Sequence, residues 1–412
     1  MKKKVLIIGA GFGGLECAKN FYNNNNFEII LADKTNHHLF QPLLYQVATA
    51  GLSPNNIAYP IRAIFRKQRN VKVIMDKVTS IDVNNNKVEF EKIGINTFDY
   101  LVLAVGARHS YFGKNEWEKF APGLKSLEDA LNIRKKILKS FEMAELSDSI
   151  EERKKHLTFV IIGGGPTGVE MTGAIAEISR KTVLYDFRNI NPKETKIFLI
   201  EGSSRLLSIY PEEISSYTKK TLEDMGVKVL LNTKVEDIKE SLVKIGDEII
   251  YTSNIIWAAG NNASSLLKTL NTELDKSGRV VVENDLSIKE NKNVFVIGDA
   301  CAFKDKNGNY LPALAPVAMQ EGKYVANTII NDLHGKKRVS FTYFDKGTMA
   351  TIGKNKAVAQ MGKMIFTGFI AWVMWILIHV LLLVGFRTKI LVFFEWIWLY
   401  ITNQRSARLI IK

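Results

Sequence analysis

Two short stretches of the 412-residue chain, VLIIGAGFGG (5–14) and FVIIGGGPTG (159–168), repeat one pattern. Each is an apolar strand running into three glycines spaced G-x-G-x-x-G: Gly9, Gly11 and Gly14 in the first, Gly163, Gly165 and Gly168 in the second. The first glycine makes a tight turn, the second lets backbone approach a pyrophosphate, and the third lets the next helix pack on the strand. The helix N-terminus then faces the phosphates. A second strand follows each helix and ends in an acid. EIILAD reaches Asp33, 19 residues past Gly14, and KIFLIEG reaches Glu201. Carboxylates at these places bind ribose hydroxyls, and Glu201 would repel a 2′-phosphate, which favours NADH over NADPH although Arg205 is near.

Two such units about 150 residues apart imply two nucleotides, one a bound flavin and the other a diffusing nicotinamide. NVFVIGDA (293–300) reads as a return strand that brings Asp299 to the flavin. LVLAVGA (101–107) and IIWAAG (255–260) are paired strand-to-glycine ends, one closing each sheet. Cys17 and Cys301 are the only cysteines, so no disulfide framework, CxxC motif or zinc pattern is present, and no metal site is expected. The opening MKKKVLIIGA imitates a secretion signal, but its glycines are better explained by the fingerprint.

The formal net charge of +14 calls for an anionic partner. From Asn331 onward, twelve Lys or Arg stand against Asp332, Asp345 and Glu395, a net +9 in the last fifth of the chain. That basic segment also holds an uncharged run between Lys363 and Arg387 and four of the six tryptophans, Trp372, Trp375, Trp396 and Trp398. The run is long enough to span a bilayer, but cations flank both its ends, which disagrees with a single oriented crossing. Two helices joined at Gly385–Lys389 and lying in the head-group layer fit better, with anionic lipid as the partner rather than nucleic acid.

With these features in place, the sequence resembles the two-dinucleotide-binding-domain flavoproteins of the glutathione-reductase-like class, and within them the type II NADH dehydrogenases. The stretches that carry the resemblance are NHHLFQPLLYQVATAGLSP (36–54), GGGPTGVEMTGAIAE (163–177), IIWAAG, VFVIGDA, DKGTMATIGKNKAVA (345–359) and the closing RSARLI. It implies an α/β fold of two Rossmann-like domains plus a helical membrane-anchoring region. The boundaries expected are 1–112 with 291–340 for FAD, 113–290 for NADH, and 341–412 for membrane association. It implies a non-proton-pumping NADH:quinone oxidoreductase of a respiratory chain, bound to the cytoplasmic face of the cell membrane. Non-covalent FAD would pass electrons from NADH to a membrane quinone, and a homodimer stays open. The disulfide reductases of this class need a redox cysteine pair in the helix after the first unit, and here HHLFQPLLYQVATAG has none.

The resemblance also assigns residues. FAD would contact Gly9, Gly11, Phe12, Gly13, Gly14, Asp33, Lys34, Val78, Gly106, Asp299 and Ala315. NADH would contact Gly163, Gly165, Pro166, Thr167, Gly168, Glu201, Ala259 and Gly260. Glu170 matches the family's carboxylate near nicotinamide and flavin, against a plainer reading as a helix N-terminal charge. The quinone-lining segment reads Ala315-Pro316-Val317-Ala318-Met319-Gln320, giving Pro316, Met319 and Gln320. Pro316 replaces the family's first glutamine and has no donor. His37 and His38 are family-typical and fit packing, and His379 fits a structural role. Two other readings remain: a soluble reductase of a ferredoxin- or rubredoxin-type acceptor, and a flavin-binding scaffold or redox sensor.

Overall fold

The computed structural model describes residues 2–410, so Lys412, one of the basic residues counted above, lies outside it. In chain order the site-bearing elements begin with β1 (Lys3–Ile8), α1 (Phe12–Lys19), β2 (Phe27–Asp33), α2 (Leu44–Ala48), β3 (Val71–Met75) and β4 (Tyr100–Leu103). They continue with β5 (Thr158–Ile162), α3 (Pro166–Glu177), β6 (Lys196–Ile200), β7 (Val227–Leu230), β8 (Asn254–Trp257), β9 (Val294–Val296) and α4 (Ala315–Leu333). The last are β10 (Thr348–Gly353), β11 (Lys356–Met361), β12 (Met364–Thr367), α5 (Gly368–Leu382) and α6 (Phe386–Thr402).

The chain divides into two compact units. One holds the segment up to Leu39, Ala58–Arg108 and Asn261–Lys346, and the other holds Phe40–Ile57, His109–Gly260 and everything from Gly347 on. The divisions fall elsewhere than at 112/113, 290/291 and 340/341, because fingerprints mark strands along the chain whereas units follow packing. The excursion 40–57 and the C-terminal segment both join the second unit, and 261–290 joins the first.

In the first unit, five parallel strands run in the order β9-β4-β1-β2-β3. Val5–Ile8 of β1 are buried, as expected of a strand covered on both faces. The chain leaves β1 toward β2 on one side and returns as β4 on the other, so a crevice opens at the carboxyl ends of β1 and β4. Helices α1 and α4 pack closely there: a Cβ on Gly322 would lie 2.2 Å from the Gly13 carbonyl oxygen.

The second unit repeats the design with four parallel strands, β7-β6-β5-β8. Every residue of β5 is buried, and Trp257 of β8 packs among Tyr111, Trp117 and Val160 with its Nε1 donating to the Ser110 carbonyl at 2.9 Å. The same unit carries the antiparallel sheet β10-β11-β12, on which α3 and α5 pack.

No described helix is long and apolar enough to cross a membrane. The 15 residues of α5 span roughly 22 Å at 1.5 Å per residue, short of a hydrocarbon core of about 30 Å. Gly385, at φ +87°, turns the chain into α6, close to the joint the sequence suggested. Each helix buries one stripe, spaced by four residues: Ala371, Trp375 and His379 on α5, and Thr388, Val392 and Trp396 on α6. Many of the remaining apolar side chains, among them Phe369, Ile370, Leu377, Leu381, Phe394, Trp398 and Ile401, are exposed.

The tail's cations do not all face outward. Arg405 is buried, Arg408 pairs with Asp186, and Arg338 pairs with Asp285 and Asp332. Lys354 donates to the Tyr400 carbonyl at 2.5 Å and to Asn403 at 3.1 Å, closing the C-terminus of α6. Lys363 and Arg387 remain exposed.

Helix α3 depends on one small residue, since a Cβ on Gly173 would lie 1.7 Å from the Ile352 carbonyl oxygen of β10. Gly173→Ala must push α3 off this sheet, at a cost of about 1–3 kcal/mol. The expected result is a lower thermal midpoint by differential scanning calorimetry, and an unchanged midpoint would contradict the close packing described.

Candidate active site

Each fingerprint glycine has a visible reason. Gly9 sits at φ +101°, and a Cβ there would lie 2.3 Å from the Ala104 carbonyl oxygen. A Cβ on Gly14 would lie 1.9 Å from the Gly9 oxygen. In the second unit Gly163, at φ +110°, has Ala258 and the Ala259 nitrogen 2.7 Å from its missing Cβ, and a Cβ on Gly168 would lie 1.8 Å from the Gly163 oxygen. Gly11 and Gly165 differ, with no protein atom within 4 Å of a Cβ on either. Their bareness leaves space for a ligand, not for the fold.

The helices that follow leave their first N–H groups available. Gly11 and Gly165 are the N-caps of α1 and α3, with no side-chain cap and no acidic residue in the first turn. Such ends receive phosphate.

The two acids do more than the spacing suggested. Asp33 Oδ2 accepts the Ala10 N–H at 2.7 Å, and its Oδ1 accepts the Thr35 N–H at 2.7 Å and hydroxyl at 2.8 Å. Glu201 repeats this with Gly164 at 2.6 Å and Ser203 at 2.7 Å. Each carboxylate ties the residue after the first glycine to the end of the second strand. Lone pairs remain on both oxygens for a ribose. His38, buried, adds a bond from Nδ1 to the Ala10 carbonyl at 2.9 Å, with Phe12 edge-on against its ring. The carbonyl only accepts, so Nδ1 carries the hydrogen, and burial holds the ring neutral. This histidine braces the fingerprint loop.

The other residues expected around the first nucleotide, Lys34, Val78, Gly106, Asp299 and Ala315, all lie in the first unit. Gly106, at φ +66°, has open space around it. Gly298 precedes Asp299 and donates its N–H to the buried Glu321 carboxyl at 2.5 Å. Burial pushes Glu321 up to about 8, so it stands neutral at pH 7. Pro166, Thr167, Ala259 and Gly260 lie with the second crevice in the second unit.

That unit also contains a cavity that opens to solvent. Glu170, Ala174 and Glu177 reach it from one face of α3, Tyr45 and Gln46 from α2, and Trp375 and Trp396 from α5 and α6. Glu170 accepts the Thr351 backbone N–H, yet burial dominates and pushes its carboxyl up to about 8. Trp396 Nε1 donates to Gln46 Oε1 at 2.7 Å, and Gln46 Nε2 donates to the Tyr45 hydroxyl oxygen at 2.9 Å. Arg405 lies behind them. Its guanidinium donates to the Thr49 carbonyl at 2.7 Å, the Thr49 hydroxyl at 2.9 Å and Glu177 Oε2 at 3.3 Å. The other Glu177 oxygen accepts the Lys354 N–H at 2.6 Å.

Pro316, Met319 and Gln320 lie on α4 of the first unit and are not among the residues lining this cavity. Pro316 occupies the first turn of α4, where a missing N–H costs nothing. Gln320 has both ends of its amide on the Phe344 backbone, at 2.9 and 3.0 Å. His379 donates from Nδ1 to the Trp375 carbonyl at 2.7 Å and stacks on that indole; burial pulls it down to about 4. Tyr45, Gln46, Glu177 and Arg405 were given no role from sequence. For Tyr45 and Gln46 the available signal is two polar residues inside the otherwise apolar family stretch LLYQVA.

Residues 3–322 match the family described as pyridine nucleotide-disulphide oxidoreductase, and residues 346–404 match the NDH2 C-terminal domain. The chain is similar to the type II NADH:quinone oxidoreductase Ndh of Mycobacterium tuberculosis, at 41% identity covering 98% of this chain and 89% of that one. It is also similar to the type II NADH:quinone oxidoreductase of Staphylococcus haemolyticus, at 32% identity over 87% of this chain and 89% of that one. The fold is similar to that of NDH2 from Plasmodium falciparum, solved in complex with NADH, with a TM-score of 0.92 at 24% identity over the whole of both chains.

The glycine geometry separates folding from binding. Gly11→Ala and Gly165→Ala should fold normally, because their methyl groups meet no protein atom. Gly11→Ala should lose bound dinucleotide on purification, and Gly165→Ala should raise the KM of the nicotinamide substrate roughly tenfold or more, by a clash worth at least ~1.4 kcal/mol. Unchanged dinucleotide content or unchanged KM would remove the crevices from consideration.

Proposed function

Since the chain belongs to the pyridine nucleotide-disulphide oxidoreductases, and among them to the type II NADH:quinone oxidoreductases, we propose that the first crevice holds FAD, the second takes NADH, and the cavity of the second unit seats the quinone. The overall reaction is NADH + H⁺ + quinone → NAD⁺ + quinol, without proton pumping. One observation carries the reading: two separate dinucleotide cradles stand on one chain, each with its own strand-end carboxylate already oriented by its loop. Bound FAD supplies the chemistry by taking a hydride from NADH and giving two electrons to the quinone. Both cysteines are free and buried, in keeping with electrons passing directly from flavin to acceptor.

The protein's own tasks are binding, alignment and proton handling. Glu201, held by Gly164 and Ser203, offers acceptors to a 2′-hydroxyl and repulsion to a 2′-phosphate. Glu170, protonated at pH 7, can supply a proton to the quinone oxygen and regain one from the solvent-connected cavity. Pro316, Met319 and Gln320, in the first unit, are proposed as quinone-lining residues on the family pattern alone, with Pro316 unable to donate.

The exposed faces of α5 and α6 would lie in a bilayer surface, with Lys363 and Arg387 for anionic head groups. On this reading the catalytic units face the cytoplasm. The apolar faces favour this reading over a soluble protein acceptor, which would not require them.

Three outcomes test it. Glu201→Gln should narrow the ratio of kcat/KM for NADH over NADPH; an unchanged ratio would assign selection to another residue.

The second concerns pH. A carboxyl whose folded pKa is raised from the ordinary value of 4.5 to about 8 binds more protons folded than unfolded between those values. Its contribution to stability is therefore greatest below pH 4.5 and declines as pH rises toward 8. Glu170→Gln should flatten this decline in thermal midpoint, and should remove a fall in quinone reduction above about pH 8. Wild-type profiles in the variant would return Glu170 to a purely structural role.

The third uses vesicles. Full-length protein should float with anionic vesicles more than with neutral ones, and added salt should weaken the difference. Equal recovery with both at low salt would exclude the electrostatic contribution.

A further inference from the structure

Two of the residues that line the cavity of the second unit, Tyr45 and Trp375, carry hydrogen-bond donors with no acceptor among the described residues. Trp375 Nε1 is buried and has no partner. Tyr45 is 6% exposed, and its hydroxyl oxygen accepts from Gln46 Nε2. The direction of that bond is dictated from α6. An indole N–H can only donate, so Trp396 fixes Gln46 Oε1 toward itself and turns the amide nitrogen toward Tyr45. The tyrosine's own hydrogen therefore points away from Gln46, and among the described residues no bond takes it up. Glu170 lines the same space, but its bond is to the Thr351 backbone. Buried donors in folded proteins are matched by protein, water or ligand.

Two donors in a cavity walled by indole rings suit a flat ring that carries oxygen acceptors and no donors of its own. We propose that Tyr45 and Trp375 donate hydrogen bonds to the carbonyl oxygens of the quinone head group, and that the relay Trp396→Gln46→Tyr45 holds the tyrosine in its donor orientation. The proposal rests on the quinone seat assigned above. Tyr45 touches the substrate, whereas Gln46 and Trp396 are positioning residues. As electrons arrive, negative charge grows on the quinone oxygens and the donated bonds strengthen, so the arrangement favours the transition state over bound quinone. It also links the site to the surface helix: Trp396 sits on the buried stripe of α6, so the seating of that helix sets the tyrosine's orientation.

The test uses full-length protein with a short-chain quinone, comparing wild type with Tyr45→Phe, Trp396→Phe, Gln46→Met and Ala174→Leu. Flavin content and the rate of flavin bleaching by NADH before quinone is added check the fold of each. Tyr45→Phe should lower kcat/KM for quinone roughly tenfold, and weaken calorimetric binding of the head group in the same direction, as loss of one hydrogen bond to a charge-bearing oxygen does. Trp396→Phe and Gln46→Met should each give a partial loss that disappears in the Tyr45→Phe background, the non-additivity expected of one relay. Additive losses would overturn the relay. Ala174→Leu, which fills the cavity, should abolish quinone reduction. If it does so while Tyr45→Phe matches wild type, the seat stands and the hydrogen-bond assignment is wrong. If neither variant changes quinone kinetics, the cavity is not the seat and this inference falls with it.

Discussion

At the carboxyl end of β1 the backbone leaves no room for a side chain: a Cβ on Gly9 would lie 2.3 Å from the Ala104 carbonyl oxygen, and one on Gly163 would be 2.7 Å from that of Ala258. Much of both crevices follows from this approach. The turn it forces, with φ near +100° at each glycine, aims the next N–H at the strand-end carboxylate. The helix then starts against the turn's own carbonyl, which requires the third glycine. The second glycine alone is free of protein neighbours, and it faces the space a pyrophosphate would fill. A substitution at the first or third position is thus a folding defect, and one at the second is a binding defect.

A different constraint governs the cavity. Arg405 and Glu177 form an ion pair with side chains 4% and 18% exposed, in surroundings where desolvation offsets much of the attraction. An apolar pair of similar volume would cost less. What the charges add is directional: one guanidinium holds the Thr49 backbone and hydroxyl while Glu177 holds the Lys354 N–H. Lys354 in turn holds the last turn of α6. Breaking such a pair costs about 3–5 kcal/mol by leaving a buried charge unmatched, so this region resists partial disassembly.

How much was legible follows from how far each signal reaches along the chain. The fingerprints, the acids at 33 and 201, and the break at Gly385 are local patterns, and the structure places each on the element expected. Spacing marks Asp33 and Glu201 as ligand-binding only and does not reveal that they also brace their loops. The excursion 40–57 could not be assigned to the second unit, since its partners lie far away; the Gln46–Trp396 bond joins residues 350 apart. Net charge misled in a specific way. It counted Arg405, Arg408 and Arg338 as outward cations, whereas each meets a carboxylate within the fold. The unmatched donors of Tyr45 and Trp375 are not legible in the sequence, because an unmatched donor exists only once its surroundings are known.

The single buried stripe on each of α5 and α6 has a consequence for how substrate is encountered. Their inner faces supply Trp375 and Trp396 to the cavity, while their outer faces suit lipid. A site walled in this way samples an apolar substrate from two dimensions rather than three. If the cavity seats the quinone and these faces rest on a bilayer, as proposed above, the quantity that sets its occupancy is the mole fraction of quinone among the lipids, not its amount per volume of solution. Added bilayer at constant quinone dilutes the substrate in that plane, even though nothing in the aqueous phase has changed.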